Sequence, residues 1–258
     1  MQAEQCGGGS DLCRGRGALP INPVLQHTAQ IRYIVIDVVD FSLNRSIEAQ
    51  TEIMNRLARV VRVALQCCVE EREQVLCLPT GDGVCIGLID QLDPFDLDIR
   101  IALMVLEQLH VLNLAERDPE CRFGVRVGLN ENQDNVVRDV AGGRNVVGLG
   151  INMAQRVMSL AGPFQLFLGA SVHARLSQRR QYRSHLQPVQ AIVKHGQRLL
   201  CYAYHDATLA CFAAAATAAC PQQRSVAAPA PLLDLPLQCR TKKRWRAAAE
   251  PSFRLQVR

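Results

Sequence analysis

The sequence predicts an α+β fold with a ferredoxin-like βαββαβ core, and three observations lead to this prediction. Between residues 31 and 129, apolar patterns follow one another in the order strand, helix, two strands, helix and strand. The first strand is an almost continuous β-branched run, IRYIVIDVV, which is typical of a strand covered on both faces. A β-α-β-β-α-β order is the ferredoxin-like unit, whose helices cover one face of the sheet, and a smaller C-terminal α/β extension follows it here.

Each core element has its own local signal. The long first helix carries Ile53 and Leu57 on one apolar stripe at helical spacing. The TGDG sequence at 80–83 lies between two short apolar runs, which indicates a tight β-hairpin. Asp93 and Pro94 favour the start of a second helix, because proline loses no hydrogen bond in a first turn. The predicted strands are 31–39, 75–78, 84–89 and 123–129, and the predicted helices are 46–71 and the segment that starts at Asp93.

The extension is predicted from weaker patterns. Its clearest element is the helix GLGINMAQRVMSL, which begins with glycines and turns Ala154 and Val157 inward. A closing hairpin is expected around His195 and Gly196. The predicted elements are a short strand at 135–140, a helix at 148–160, a strand at 164–168, a helix at 170–177 and hairpin strands at 191–194 and 199–204.

Composition divides the chain into three parts. Residues 1–30 are rich in glycine and polar residues and are predicted to be a disordered leader, and residues 31–205 form the folded domain. Residues 206–258 are rich in alanine and proline and are predicted to be a disordered basic tail. That tail has eight Lys or Arg and three Asp or Glu, a difference of five that equals the whole net charge of +5. The charge therefore says nothing about the folded part, and we expect no nucleic-acid partner.

Cysteine usage and hydropathy indicate a soluble, cytoplasmic protein. The chain has 11 cysteines without a C-x-x-C pair, and several lie inside apolar helix or strand patterns, so we expect them to be reduced core residues. The first thirty residues have no basic start followed by an apolar segment, so no signal peptide is predicted. No run is long and apolar enough to predict a membrane span.

Two carboxylates are the first candidate functional residues. Asp37 lies within an apolar strand, where a carboxylate is costly unless a cation or hydrogen bonds satisfy it. Asp82 lies at the tip of the predicted hairpin. Asp37 could instead cap the next helix, and Asp82 could simply be a turn residue. In the ferredoxin-like topology the first strand lies beside the hairpin, so we expect both carboxylates at one end of the sheet, where they would suit hard divalent ions.

Four sequence segments, taken together, carry a family resemblance. They are IDVVDFS at 36–42, LPTGDGVCI at 78–86, GINMAQRVM at 150–158 and VKHGQRLLCYAY at 193–204. In this order they resemble the motifs of the class III nucleotidyl cyclases, the adenylate and guanylate cyclase family. The resemblance covers about residues 31–205 and implies the class III cyclase fold for them.

The resemblance implies a two-metal phosphoryl-transfer site. Asp37 and Asp82 would hold two Mg²⁺ or Mn²⁺ ions, with the backbone carbonyl of Val38 as an additional ligand. Asn152 would orient the ribose and Arg156 would stabilise the α-phosphate of a nucleoside triphosphate. The product would be a 3′,5′-cyclic nucleotide, released with pyrophosphate. Because the family takes its carboxylates and its Asn/Arg pair from different protomers, the resemblance implies a homodimer with two equivalent sites.

Further positions correspond to nucleotide-binding positions of the family, with three departures. Phe41 and Ser42 lie in a segment whose backbone amides could bind phosphates. Next to them, Asp40 replaces a usual glycine and would repel a triphosphate if its side chain pointed toward it. Leu78 and Asn145 stand where the family recognises the base, and neither residue selects one base. ATP is therefore expected only because it is the commonest substrate of the family, and a pyrimidine nucleotide is the alternative. Lys194 is the nearest candidate for a triphosphate-binding lysine, although Gly196 is the aligned residue.

Two other interpretations of the same residues remain open. A catalytically degenerate cyclase-like module could bind nucleotide or dimerise without turnover, and Asp40 and Leu78 favour it. Diguanylate cyclases have a similar core and a Gly-Asp hairpin, but their hairpin motif is more acidic and they lack the GINMAQR helix. That helix favours the mononucleotide cyclases.

Overall fold

The computed structural model describes residues 27–192 and 198–212, and they form one mixed sheet with helices on both of its faces. The eight strands are β1 (His27–Val38), β2 (Val75–Pro79), β3 (Gly83–Ile89), β4 (Val125–Arg138), β5 (Arg144–Val147), β6 (Gln165–Leu168), β7 (Leu186–Ile192) and β8 (Arg198–Tyr204). The five α-helices are α1 (Ile47–Cys68), α2 (Leu97–Ala115), α3 (Leu149–Met158), α4 (Ala170–Leu176) and α5 (Arg180–Arg183). Two short 3₁₀ turns lie at Arg72–Gln74 and Pro119–Cys121.

The strand order confirms the predicted α+β fold with a ferredoxin-like core. The sheet runs β2-β3-β1-β4-β6-β8-β7, and β5 pairs with β4 outside this path. Its first four strands give the ferredoxin-like arrangement, with β1 in the centre, antiparallel to both β3 and β4. The extension adds β6 parallel to β4 and then the β7–β8 hairpin. Asp37 lies near the C-terminal end of this central strand.

The two faces of the sheet are buried by different helices. On one face, Ile34 and Ile36 of β1 pack in the core that α1 and α2 cover. On the other face, Tyr33 and Val35 pack with Ala154 of α3. Successive strand residues point to opposite faces, so Asp37 lies on the same face as Tyr33 and Val35. The ferredoxin-like core thus has its helices on one face, and α3 covers the other.

Several element boundaries differ from the sequence prediction. The short strand predicted at 135–140 is the continuation of β4, which is unbroken from Val125 to Arg138. Its polar residues concealed this, because Asn130 and Asp134 are buried and satisfied by hydrogen bonds that a sequence pattern does not reveal. Helix α2 begins at Leu97, after turns at 93–96, and not at Asp93. Strand β7 begins at Leu186, before the predicted 191. Its early part was not predicted because it contains Pro188, which argues against a strand except at an edge such as this one.

The described residues also bear on the two ends of the folded part. Strand β1 starts at His27, so residues 27–30, assigned to the leader, belong to the sheet. Cys211 and Phe212, assigned to the tail, are buried in the core. Residues 1–26, 193–197 and 213–258, which include Lys194, lie outside the described residues. Within the described part of the chain, every helix is too short or too polar to cross a membrane.

Candidate active site

The hairpin between β2 and β3 brings Asp82 to the end of β1. Asp37 pairs across the strands with Gly83, the residue after Asp82. The Val38 amide donates to the Asp82 carbonyl at 3.2 Å, which closes the hairpin tip onto β1. The Asp82 carboxyl group lies near enough to Asp37 to raise the pKa of the Asp37 carboxyl group. Two carboxylates that are distant in sequence therefore share one position at the sheet's end.

Glycine is required at the base of this hairpin tip. A Cβ atom added to Gly83 would lie 2.2 Å from the Ile36 carbonyl oxygen and 2.9 Å from the Thr80 hydroxyl oxygen. Gly81 has a φ of +90°, which side chains rarely tolerate. The glycines of the TGDG sequence thus allow the backbone at Asp82 to pack closely against β1.

Arg126 is a third member of this cluster, and the sequence analysis did not identify it. It lies on β4 directly across from Asp37. Its Nε and Nη2 atoms donate to the same Asp37 oxygen at 2.8 Å and 2.7 Å. Arg126 carried the same signal that identified Asp37, a charged residue within an otherwise apolar strand, and the register of β1 and β4 explains the pairing.

Asp37 is a largely buried carboxylate whose neighbours have opposing effects on its charge. Its side chain is only 11% exposed. Burial, together with the nearby Asp82 carboxylate, raises the pKa of Asp37, and the Arg126 guanidinium opposes this shift. The alternative that Asp37 caps the next helix is wrong, because the Ser46 hydroxyl accepts the Ala49 amide at the start of α1. Asp37 therefore has no structural partner on α1.

The donors at this position fit a hard divalent cation. They are the carboxylate oxygens of Asp37 and Asp82, together with the Thr80 hydroxyl, which is buried and has no hydrogen-bond partner. Among the described residues, no group of three or more His, Cys, Asp or Glu side chains could hold a metal. Magnesium is commonly held by one or two carboxylates and substrate phosphates, so a pair of carboxylates is a sufficient protein contribution.

The segment after β1 has left-handed backbone at two residues. Asp40 has a φ of 53° and Asn44 a φ of 52°, a conformation that Asp and Asn tolerate better than other side chains. This explains how Asp40 can occupy a position where the family usually has glycine. Arg45 holds the segment in place, since it donates to the carbonyls of Asp40, Glu120 and Arg122.

Two predicted phosphate-binding residues lie in this segment. Phe41 is half-buried against the core and Ser42 is exposed. The Leu43 amide donates to the Asp40 carbonyl at 3.2 Å, so that amide is used within the turn. Of the amides at 40–43 that were candidates for phosphate binding, Leu43 is therefore engaged by the protein itself.

Helix α3 presents Asn152 and Arg156 to solvent. Both side chains are exposed, whereas Ala154 and Val157, on the opposite side of the helix, are buried. The Asn152 side-chain amide donates to the Gly148 carbonyl at 3.0 Å, one turn earlier. Four-residue spacing places Asn152 and Arg156 on one face, which points away from the sheet that carries Asp37. Within one chain, the Asn152 and Arg156 side chains thus do not face the Asp37 and Asp82 carboxylates.

The predicted base-reading residues lie on β2 and β5. Leu78 packs against the apolar cluster under α3 and offers no hydrogen bond. Asn145 is half-buried, and its side-chain oxygen accepts the Val146 amide at 2.8 Å. The two strands approach each other, because Arg144 donates to the Val75 carbonyl at 3.0 Å.

Comparisons with solved structures agree with this architecture. One match is the catalytic core of a rhodopsin-guanylyl cyclase with converted specificity in complex with ATPαS, at 17% identity and a TM-score of 0.54, covering 70% of this chain and 98% of that one. Another is the guanylate cyclase domain of RhGC from Catenaria anguillulae in complex with GTP, at 18% identity and a TM-score of 0.53, covering 69% and 96%. The adenylyl cyclase CyaB from P. aeruginosa matches at 14% identity and a TM-score of 0.53, covering 70% and 96%.

No protein-family model matches the chain, and no curated protein does. The likeness to solved structures therefore rests on the arrangement of helices and strands, at identities of 14% to 18%. The resemblance noted in the sequence is confirmed at this level: the chain has the fold of the class III adenylyl and guanylyl cyclase catalytic domains.

Proposed function

We propose that this protein is a nucleotidyl cyclase, which converts a nucleoside triphosphate to a 3′,5′-cyclic nucleotide and pyrophosphate at a homodimer interface. The observation that carries the proposal is the register that places Asp82 beside Asp37 at the end of the central strand, where the Val38 amide donates to the Asp82 carbonyl. Two neighbouring carboxylates are a protein contribution that suits a divalent-metal phosphoryl-transfer site.

Asp37 and Asp82, with the Val38 carbonyl, would hold two Mg²⁺ or Mn²⁺ ions. Such ions lower the pKa of the attacking hydroxyl and neutralise the triphosphate when bound. Arg126 donates to Asp37 in the described structure and offsets part of the negative charge of the carboxylate pair. The Thr80 hydroxyl, buried and without a partner, is available to hydrogen-bond a group that enters this position.

The Asn152 and Arg156 side chains would act on the nucleotide from a second protomer. Both are exposed on α3 and point away from their own sheet, which suits a site that a partner completes. Arg156 would bind the oxygens of the reacting phosphate through its planar guanidinium, and Asn152 would orient the ribose. Phe41, Ser42 and, outside the described residues, Lys194 remain candidates for binding the triphosphate.

The base is the least determined part of the proposal. Leu78 offers no hydrogen bond, and the Asn145 oxygen is engaged by the Val146 amide. In this arrangement Asn145 presents its amide hydrogens, which can donate to an acceptor on the base. ATP remains our first candidate because it is the commonest substrate of the family, and the pyrimidine nucleotides are the alternative.

Product identification tests the proposal directly. Purified protein would be incubated with Mn²⁺ and each of the four nucleoside triphosphates, and the products identified by mass. We expect a cyclic monophosphate from at least one of them, and none from Asp82→Ala. A folded dimer that forms no cyclic product from any triphosphate would contradict the proposal and support a degenerate module that binds nucleotide or dimerises.

Mixed dimers test whether the site is shared between two protomers. Asp37→Ala and Arg156→Ala are each expected to be inactive alone. In a mixed dimer one of the two sites is intact, and half of the dimers in an equal mixture are mixed, so about a quarter of the wild-type activity should return. No recovery, with mixed dimers shown to form, would mean that each site is built within one chain.

A further inference from the structure

A buried carboxylate on β4, outside the predicted metal cluster, holds the start of α3. Asp134 is only 3% exposed. Its carboxylate accepts the Gly150 amide at 3.0 Å and the Ile151 amide at 3.3 Å. The first amides of a helix have no partner within it, and α3 has no capping side chain at Gly148. Asp134 therefore caps α3 from a neighbouring strand.

The backbone of α3 is shaped to let this carboxylate approach. A Cβ atom added to Gly148 would lie 2.1 Å from Asp134 Oδ1, and one added to Gly150 would lie 2.6 Å from Oδ2. The glycines at the start of this helix thus make room for Asp134. A larger residue at either glycine would force Asp134 and the start of the helix apart.

Two further side chains hold the Asp134 carboxylate in place. The Tyr33 hydroxyl donates to it at 2.7 Å and the Asn132 amide at 2.6 Å. Burial raises the pKa of Tyr33 well above its ordinary value, so its hydroxyl remains a donor. In the described part of the chain no basic side chain lies within ion-pair distance of Asp134. These hydrogen bonds and the helix N-terminus are what stabilise the buried charge.

The opposite end of α3 is fixed by backbone packing. A Cβ atom added to Gly128 of β4 would lie 2.5 Å from the Met158 amide nitrogen. At the start of the helix, the Asn130 side chain adds a bond to the Gly150 carbonyl at 3.1 Å. Helix α3 is thus held at both ends on β4, and the exposed Asn152 and Arg156 lie between the two attachments.

We propose that Asp134 is a positioning residue that sets where α3 places Asn152 and Arg156 for the partner's half of the site. This inference rests on the proposed function. Asn152 lies two residues beyond the capped Gly150 amide, and a displacement of about 1 Å in a group that orients substrate can lower the rate about 10²-fold. We expect Asp134→Leu, which removes the acceptor at similar bulk, to lower kcat about 10- to 100-fold with little change in the Mn²⁺ requirement.

Mixed dimers distinguish this role from general damage to the fold. Asp134→Leu leaves the metal carboxylates of its own chain intact, so mixing it with Asp37→Ala should restore about a quarter of the wild-type activity. Mixing it with Arg156→Ala should restore nothing beyond the separate variants, since both lie in the same half of the site. Recovery with Arg156→Ala, or none with Asp37→Ala despite mixed dimers, would overturn the proposal.

Two tyrosine variants give a matched comparison if Asp134→Leu does not fold. Tyr33→Phe removes the bond to Asp134, and Tyr182→Phe removes an equivalent buried bond to Asp96, at 2.8 Å, far from α3. We expect Tyr33→Phe to lower kcat several-fold and Tyr182→Phe to leave kcat unchanged. We also expect a smaller loss of kcat in Asp134→Asn than in Asp134→Leu, because asparagine keeps one acceptor oxygen. Equal effects of the two tyrosine variants would contradict the positioning role.

Amide hydrogen exchange separates this inference from the proposed function. If the wild type forms no cyclic product from any nucleoside triphosphate, the proposed function fails, and the positioning claim is then judged by exchange alone. We expect faster exchange across 149–158 in Asp134→Leu or Tyr33→Phe, with β1 and β3 unchanged and no effect of Tyr182→Phe. Unchanged exchange of α3 in both variants would overturn the claim that Asp134 holds this helix.

Discussion

The two halves of the proposed site differ in how the protein holds them. Asp37 is buried at the end of a central strand, hydrogen-bonded to Arg126 and beside the hairpin tip that carries Asp82. Asn152 and Arg156 are exposed on a helix of ten residues that rests on the sheet through its opposite side. The carboxylate half is therefore complete within one chain, whereas the helical half presents side chains outward.

This difference indicates how the two halves respond to substitution. A buried carboxylate cluster combines charges that must be balanced, so a change there alters both stability and cation binding. An exposed helix face can lose a side chain at little cost to folding, so a change there should alter turnover alone. The following predictions test this contrast, from the largest expected effect to the smallest.

The largest expected effect is at Asp82. Asp82→Ala should lower turnover by about 10³-fold or more, because a metal clamp contributes several kcal/mol to the transition state. It should also abolish the rise in melting temperature that Mn²⁺ causes in the wild type, since a bound ligand stabilises the folded state. Product formation and thermal unfolding with and without Mn²⁺ measure both effects. Glu70→Ala, at an exposed carboxylate, is the control, and an unchanged Mn²⁺ response in Asp82→Ala would contradict a metal role.

Arg156 tests the helical half. Arg156→Ala should lower kcat about 10²- to 10³-fold, the usual cost of removing one group that stabilises transition-state charge. Its melting temperature and its Mn²⁺ response should match the wild type, because the side chain is exposed. Arg59→Ala, at an exposed arginine on α1, serves as the matched control. A large loss of stability in Arg156→Ala would show that the two halves do not differ as described.

Arg126 tests whether the charge of Asp37 affects the stability of the folded protein. Arg126→Ala should destabilise the metal-free protein by about 1 kcal/mol, a modest figure because the arginine is about a third exposed and solvent screens the pair. Without the guanidinium, the pKa of Asp37 rises further above its ordinary value. When the pKa of a carboxyl group is higher in the folded than in the unfolded state, its contribution to the free energy of unfolding is present at low pH. That contribution is lost as the pH rises through the folded-state pKa. The destabilisation should therefore be larger at pH 7 than near the ordinary carboxyl pKa of 3.8.

Unfolding in EDTA across this pH range measures the Arg126 effect, with Arg59→Ala as control. The same loss of stability at every pH would mean that Arg126 acts through packing and not through the charge of Asp37.

The smallest expected effect is on base preference. Replacing Leu78 by lysine and Asn145 by aspartate introduces the residue types that the family resemblance implies for an adenylate cyclase at these positions. The double variant should shift the ratio of ATP to other substrates by about 10-fold, since one or two polar contacts of about 1 kcal/mol each decide it. Competition between the four triphosphates, with products identified by mass, measures the ratio. An unchanged ratio would mean that neither residue contacts the base.

Much of the fold could be predicted from local patterns, and the reason is visible in β1 and α1. Their apolar residues repeat with periods of two and 3.6 residues, and the same residues fill the core. Where polar residues are satisfied inside the sheet, as along the second half of β4, the pattern failed and one strand was divided. The first part of the edge strand β7, residues 186–190, was likewise recognised only from its pairing with β8.

The sequence by itself determined the order of the core elements, the candidate residues Asp37, Asp82, Asn152 and Arg156, and the family whose motifs they resemble. Only the tertiary structure decided that Asp82 lies beside Asp37, that Arg126 offsets part of the charge of Asp37, and that Asp134 caps α3 from a neighbouring strand. The physical reason is that periodicity and turn chemistry act between residues near in sequence. Strand register, by contrast, brings together residues that lie far apart along the chain.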